Sequence, residues 1–478
     1  MKRQYLILAI LALLLPAVLR GLWFYRGFSP ARPEIGTPDY ASFARPEVAV
    51  NAPDLKDVKQ IGGTVLLDVN HGNQFLLTEI DSFTAAIRAR GGTVELSTDE
   101  SGLETQLKSA SAFISISPSY GFTESEKSLL KNFTERGGKI LAFADATRYS
   151  IYYDEMSGNP IPYGDAISLN TLLTPYDISI TNDYLYNTER NEGNFRNVLF
   201  DDFGKSELTF GLGEVALYGA RSVESPSGVI LLQGAESNLS SVDDAHNPNA
   251  GGAALSADGN VAAFGDFTFM SSPYNVYTDN AALIQNLADF ALSGKQTPNL
   301  ELFPYIFNGN TIQVFISPDL EKNTDMVSAL GTLQSSMRLL NLNFVFVDSI
   351  PSSGDTLIIG TFDATEDFNA ALQKADVEMD DSLIRTVAFG DINRGGNGVI
   401  LFQEGKRGNT LVLLADTPED VIALMNVVGY ADLSSCLRSD LVAVCGVGYD
   451  SYYDDYSEDT VTDETTDPAL EVTPEPGG

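Results

Sequence analysis

Gly62-Gly63-Thr64-Val65-Leu66-Leu67-Asp68-Val69-Asn70-His71-Gly72-Asn73 is a short apolar run that breaks off into Asp, Asn, His and Gly. Its length and flanking glycines predict the first buried strand of an α/β domain. The polar end then lies at the carboxyl edge of a sheet, where open α/β sheets place their ligands. Working outward, the residues after it predict more of the same alternation. Thr78 to Arg90 carries Ile80, Phe83 and Ile87 on one helical face. Thr93–Leu96 and Ala112–Ile116 read as the second and third strands. Thr123 with Glu126 forms a capping box ahead of Leu129, Leu130 and Phe133. Lys139–Asp145 is a fourth strand, and Val261–Asp266 another that also ends in an acid. Strands alternating with helices imply a mainly parallel sheet.

The remainder divides by composition. Residues 1–28 form an apolar segment with a basic start, Tyr5-to-Leu19 being almost wholly hydrophobic and followed by Arg20, Trp23, Phe24, Tyr25 and Arg26. This predicts an uncleaved signal anchor, a transmembrane helix with aromatic and basic residues at the interface. No cysteine directly follows the apolar segment, so no lipoprotein anchor is expected. Residues 29–60 are a Pro-rich linker, with Pro30, Pro33, Pro38, Pro46 and Pro53. Residues 61–297 make the first α/β domain, closed by a helix over Asp279–Leu292, with Ser237–Asn260 read as a long polar loop inside it. Residues 298–448 make a second, smaller α/β domain, in which Lys406-Arg407-Gly408-Asn409 turns a hairpin. Residues 449–478 contain many acids and no basic residue, which predicts a disordered tail.

A net charge of −36, from 65 Asp and Glu against 29 Lys and Arg, repels phosphate backbones and argues against nucleic-acid binding. The two cysteines, Cys436 and Cys445, lie in one segment. A lone close pair predicts a disulfide in an exported chain. With the apolar start, this places the body outside the cytoplasm, at a cell surface or its periplasmic equivalent. No metal is expected at that pair, because no histidine or further soft ligand is near it.

The candidate ligand-binding residues are Asp68, Asn70, His71, Asn73, Ser117, Ser119, Tyr120, Asp145, Arg148 and Asp266. If the strands are parallel, their polar ends share one rim. Asp68, Asp145 and Asp266 could then form a carboxylate cluster able to hold Ca²⁺ or Mg²⁺ through oxygens. No cofactor other than such a divalent cation is expected. The alternative is that these short polar groups cap helices and strand ends. A Ser117–His71–Asp145 triad can be written, but Ser117 precedes Pro118 and lacks a G-x-S-x-G frame. No P-loop and no G-x-G-x-x-G follows a strand, so nucleotide binding is unsupported.

The landmarks Asp68-x-Asn70-His71, Ile114-to-Pro118, Arg136-Gly137-Gly138-Lys139, Asp145 and Phe264-Gly265-Asp266-Phe267 with Asn280 opening a helix resemble the DUF4350 family. The related gliding-motility and ABC-transport auxiliary domains share them, within the class I glutamine amidotransferase-like superfamily. The resemblance covers about residues 61–295. It implies a flavodoxin-like three-layer sandwich; an accessory role beside a transporter or surface-protein partner is a further expectation. It does not imply amidotransferase chemistry, since the superfamily's nucleophile is a cysteine and this domain has none. The expectation is a membrane-anchored, non-catalytic binding or accessory protein for a small ligand, glycan or protein partner. The alternative is a divergent hydrolase acting on a glycan or ester through Asp68, His71 and Asp145.

Overall fold

The computed structural model describes residues 2–25, 58–98, 100–153, 156–158, 160–430 and 433–448. The expected linker, apart from its last three residues, and the acidic tail lie outside these. Helix α1, Lys2–Tyr25, is 24 residues long with Pro16 inside it and buries no residue. At 1.5 Å per residue such a helix is long enough to cross a hydrocarbon core, and its mean hydropathy reaches 2.3.

The first domain is built on β1 (Thr64–Leu67), β2 (Thr93–Leu96), β3 (Ala110–Ile116) and β4 (Lys139–Phe143). They pair in parallel in the order β2-β1-β3-β4, and strand Val261–Phe264 adds in parallel beside β4. This is the flavodoxin-like order. Strand residues alternate between the two faces. Val65, Leu67, Ala112, Ile114, Leu141 and Phe143 pack on α2 (Asp81–Ala89) and the closing helix Asn280–Ser293. Leu66, Phe113, Ile140 and Ala142 pack on the opposite layer, α3 (Glu100–Ser109), α4 (Glu124–Glu135) and α5 (Asp165–Leu173). The result is the expected three-layer sandwich. Thr123 and Glu126 form the capping box, with the Thr123 amide donating to Glu126 Oε2 at 2.8 Å.

Two features depart from the sequence expectation. Helix α3 carries only Leu103 and Leu107 as buried apolar residues, too few to register as a stripe. Ser237–Asn260 is not simply a loop, because Ala250–Leu255 is a buried strand between Val229–Gln233 and Val261–Phe264, antiparallel to both. Its Ala-Gly-Gly-Ala-Ala core lacks the β-branched residues that mark strands. Small residues are required there. A Cβ on Gly252 would lie 2.7 Å from the Leu217 side chain and 2.8 Å from Phe200. One on Gly251 would lie 2.1 Å from the Leu232 carbonyl, where the pairing register shifts.

The second domain has a seven-stranded sheet. Asn343–Val347, Thr311–Ile316, Asp355–Thr361 and Thr410–Ala415 run parallel. Asn397–Gln403 then returns antiparallel through the expected hairpin. The Cys436–Cys445 disulfide closes its far edge.

Because the Gly251 contact is with backbone, it cannot be relieved by a side-chain rotation. Gly251→Ala is expected to destabilise the first domain by about 1–3 kcal/mol, read as a lower urea midpoint. A midpoint equal to wild type would mean that the strand pairs differently.

Candidate functional site

The carboxyl ends of the parallel strands do meet at one rim, but their polar side chains are bonded to each other. Asp68, fully buried at the end of β1, accepts from His71 Nδ1 at 2.9 and 3.0 Å. It also accepts from Ser115 Oγ at 2.8 Å and Asn73 Nδ2 at 3.2 Å. The other imidazole nitrogen, Nε2, lies 3.4 Å from Glu126 Oε1. The ring stacks on Phe122 with centroids 3.9 Å apart. Burial alone would lower the His71 pKa. The hydrogen bond and charge of Asp68, and then Glu126, outweigh it and raise the value above the ordinary 6.5. The two ring nitrogens of His71 therefore face two carboxylates, which favour its protonated form.

The backbone completes the lock. Gly72 adopts a positive φ of 61°, and a Cβ there would stand 2.8 Å from the Tyr120 ring. The His71 carbonyl accepts the Ser119 and Tyr120 amides at 2.8 and 3.0 Å. Ser119 Oγ donates to the Gly72 carbonyl at 2.9 Å. Asn70 Nδ2 donates to Ser97 Oγ at 3.0 Å, tying the loop after β1 to the end of β2.

A second buried network lies beyond β3. Ser117 takes a positive φ of 41°, and its Oγ donates to Asp165 Oδ2 at 2.8 Å. The Asp145 amide donates to the same oxygen at 2.7 Å, and Arg221 Nε to Asp165 Oδ1 at 2.7 Å. Burial pushes the Asp165 carboxyl up even against the Arg221 charge. Asp145 accepts from Thr147 and from Thr268 Oγ1 at 2.8 Å. Asp266 accepts the Tyr218 and Thr268 amides, each at 2.8 Å. Complete burial, then the nearby Asp145 charge, raises the Asp266 carboxyl well above the usual range. Arg148 bonds Glu79, stands 3.7 Å from Asp145 and lies over the Phe267 ring.

Two expectations are corrected by this geometry. Asp68, Asp145 and Asp266 do not share one cluster. Asp145 and Asp266 interact, whereas Asp68 sits on β1, with β3 between it and β4. Strand spacing of about 4.8 Å puts roughly 10 Å between those two strand ends. Among the described residues no group of three or more His, Cys, Asp or Glu is placed to hold a metal ion. The Ser117–His71–Asp145 triad does not form either, because Ser117 bonds Asp165 and His71 bonds Asp68 and Glu126. Most of the candidates act as the alternative reading had it, satisfying strand ends and turns.

Sequence reasoning missed Glu126 as a partner of His71, and missed Asp165, Arg221, Ser115 and Phe122. The capping box was visible, but not that the free carboxylate oxygen of its Glu would reach a loop 55 positions earlier. Asp165 and Arg221 come from segments without periodicity.

The rim exposes apolar side chains beside the polar Asn70, Thr78 and Thr98. Val69, Leu76, Leu77 and Tyr120 are 39%, 65%, 56% and 68% exposed. Leu96 at the end of β2 and Tyr149 after β4 are exposed as well.

No family model and no curated protein matches the chain. Among solved structures it is similar to the mmIFT52 N-terminal domain, at 16% identity and a TM-score of 0.36, over 49% of this chain and 99% of that one. A ThuA-like protein from Bacteroides uniformis matches at 12% identity and a TM-score of 0.30, over 51% and 95%. PurLQS from Thermotoga maritima matches at 9% identity and 0.26, over 49% and 99%. At these scores the similarity adds nothing to the fold described above.

The raised His71 pKa has a defined consequence for stability. Its contribution is full below 6.5, its ordinary value, and is lost as pH rises through the raised folded value. His71→Gln is expected to cost about 3 kcal/mol at mildly acidic pH. The gap to wild type should narrow as pH rises. Denaturant melts of both proteins across pH check this, and a gap that widens with pH would contradict the clamp.

Proposed function

We propose that the chain is a membrane-anchored, extracytoplasmic protein that binds a protein partner through the exposed rim of its first domain and has no catalytic role. The resemblance to DUF4350 and ABC-transport auxiliary domains suggests a role accessory to a transport or export complex. The observation that carries the reading is the rim itself. Asp68, His71, Asp145 and Asp266 are buried and bonded internally, while Val69, Leu76, Leu77 and Tyr120 stand exposed there beside Asn70 and Thr78. Exposed apolar side chains gathered at one edge mark interaction surfaces. The chain's only cysteines are joined to each other in the other domain. Helix α1 and the disulfide support anchoring and an oxidising compartment. The hydrolase alternative needs a His71 free to exchange a proton with substrate. A ring held at both nitrogens and 6% exposed is poorly suited to that role.

The protein should stay with membranes after an alkaline carbonate wash and resist thiol alkylation until reduced. Recovery as a soluble protein with two reactive thiols would defeat the anchoring. For the rim, Leu77→Glu combined with Tyr120→Glu should remove proteins co-purified from solubilised membranes while leaving the melting temperature unchanged. Retention of the same partners would defeat the rim assignment. Turnover of glycan or ester substrates that disappears in His71→Ala would replace binding with hydrolysis.

A further inference from the structure

At the opposite end of the first domain's sheet, a cleft of about 190 Å³ opens where the two domains meet. Lys108 reaches it from the last turn of α3, and Asn132 and Arg136 from the end of α4, while Glu301 and Arg438 come from the second domain and Glu104 from α3. Arg136 and Lys108 immediately precede the starts of β4 and β3, so the cleft is at the amino edge and not at the rim.

The cleft is held open by the chain itself. Gln296 Nε2 donates to the Leu107 and Ala110 carbonyls at 2.7 and 2.9 Å. The Thr297 amide donates to the Arg136 carbonyl at 2.8 Å, and the Leu300 amide to the Asp440 carbonyl at 2.9 Å. The connector is thus bonded to both walls. Arg136 Nη1 meets Glu301 at 2.9 Å across the cleft, and Nε meets Gln296 at 3.2 Å. Nη2 makes no protein hydrogen bond among the described residues. Arg438 is exposed and has no carboxylate partner among the described residues.

Charge makes the place unusual. Over the whole chain 65 acids face 29 cations, yet three cations and two acids line this cleft, with Lys108 paired to Glu104 at 3.8 Å and Arg136 to Glu301 at 2.9 Å. An acidic surface repels anions, whereas this domain boundary keeps one net positive charge, with Arg438 and the Nη2 of Arg136 turned to no carboxylate among the described residues. Domain boundaries are a preferred place for ligands. The volume is below that of a nucleotide or peptide site, which limits the occupant to a small group.

We infer that this interdomain cleft binds an oxyanion, the phosphate, sulfate or carboxylate of a small molecule such as a charged sugar, between Arg136 Nη2, Arg438 and the Asn132 amide. Planar guanidinium groups suit paired oxygens.

The test uses the full chain in detergent, titrated calorimetrically with inorganic phosphate, inorganic sulfate and glucuronate. At least one should bind, more weakly as salt is raised, and the three arms separate the sources of the anion. Arg438→Gln should weaken that binding roughly tenfold, equivalent to losing one charge-assisted contact. Asn132→Asp, which puts a carboxylate into the cleft, should abolish it. Arg407→Gln, in the hairpin turn of the second domain, should leave it unchanged. No binding by any of the three anions would overturn the inference. So would equal weakening by Arg407→Gln, or wild-type affinity in Arg438→Gln and Asn132→Asp. None of these outcomes bears on the rim, whose partner binding is read separately.

Discussion

The imidazole of His71 is the contact on which the carboxyl edge of the first domain depends. Its Nδ1 holds Asp68 at the end of β1 and its Nε2 faces Glu126 at the start of α4. One ring therefore joins a strand of the sheet to a helix of the outer layer. Two buried carboxylates without it would each carry a desolvation cost of several kcal/mol. Asp68 is further satisfied by Ser115 and Asn73, and Glu126 by the Thr123 amide and hydroxyl. With every acceptor paired, the group behaves as a clasp. The Gly72 turn and the Ser119 and Tyr120 amides follow from it, because they fold the loop after β3 onto the His71 carbonyl.

The same logic governs the far side of the sheet. Asp165 gathers Ser117, the Asp145 amide and Arg221. Ser117 is held there in the left-handed region, which costs a non-glycine residue about 1–3 kcal/mol and persists only when surrounding bonds enforce it. Its hydroxyl is buried and donates to a carboxylate that burial makes more basic. Such a serine serves as a donor within the fold. Polar groups at the ends of parallel strands can serve a ligand or serve the fold. Here Asp68, Asp145, Asp165 and Asp266 are bonded inside the protein, and Val69, Leu76, Leu77 and Tyr120 are among the side chains exposed beside them.

The layered fold was legible wherever local pattern and global packing agree. Val65–Leu67, the Ile80/Phe83/Ile87 face and the Thr123–Glu126 box each carry their own signal, and each lies where expected. Ala250–Leu255 failed because its identity is set by neighbours. Glycines and alanines are there to let Leu217, Phe200 and Leu232 come close, a requirement invisible along the chain. The site split in the same way. Asp68 beside His71 is a local pair three residues apart and could be anticipated. The placement of Asp145 with Asp165 and Arg221 depends on which strands lie between, and a list of strand-end acids does not contain that order. Parallel strands suggested one rim, correctly, but sharing a rim is not sharing a pocket when β3 stands between β1 and β4.

The two ends of the first sheet differ in what they leave unsatisfied. At the carboxyl edge, acids outnumber cations but are neutralised by internal donors, and apolar surface is left over. At the amino edge, Arg136 keeps one nitrogen uncommitted and Arg438 has no carboxylate partner among the described residues, in a chain with more than twice as many acids as bases. An exposed surface ion pair is worth little to stability, so the Arg136–Glu301 contact does not account for the cations beside it. Bonds from Gln296, Thr297 and Leu300 fix the cleft walls. Preformed walls lower the ordering cost of binding, so a small anion meeting them would retain more of its electrostatic gain than it could on a flexible surface.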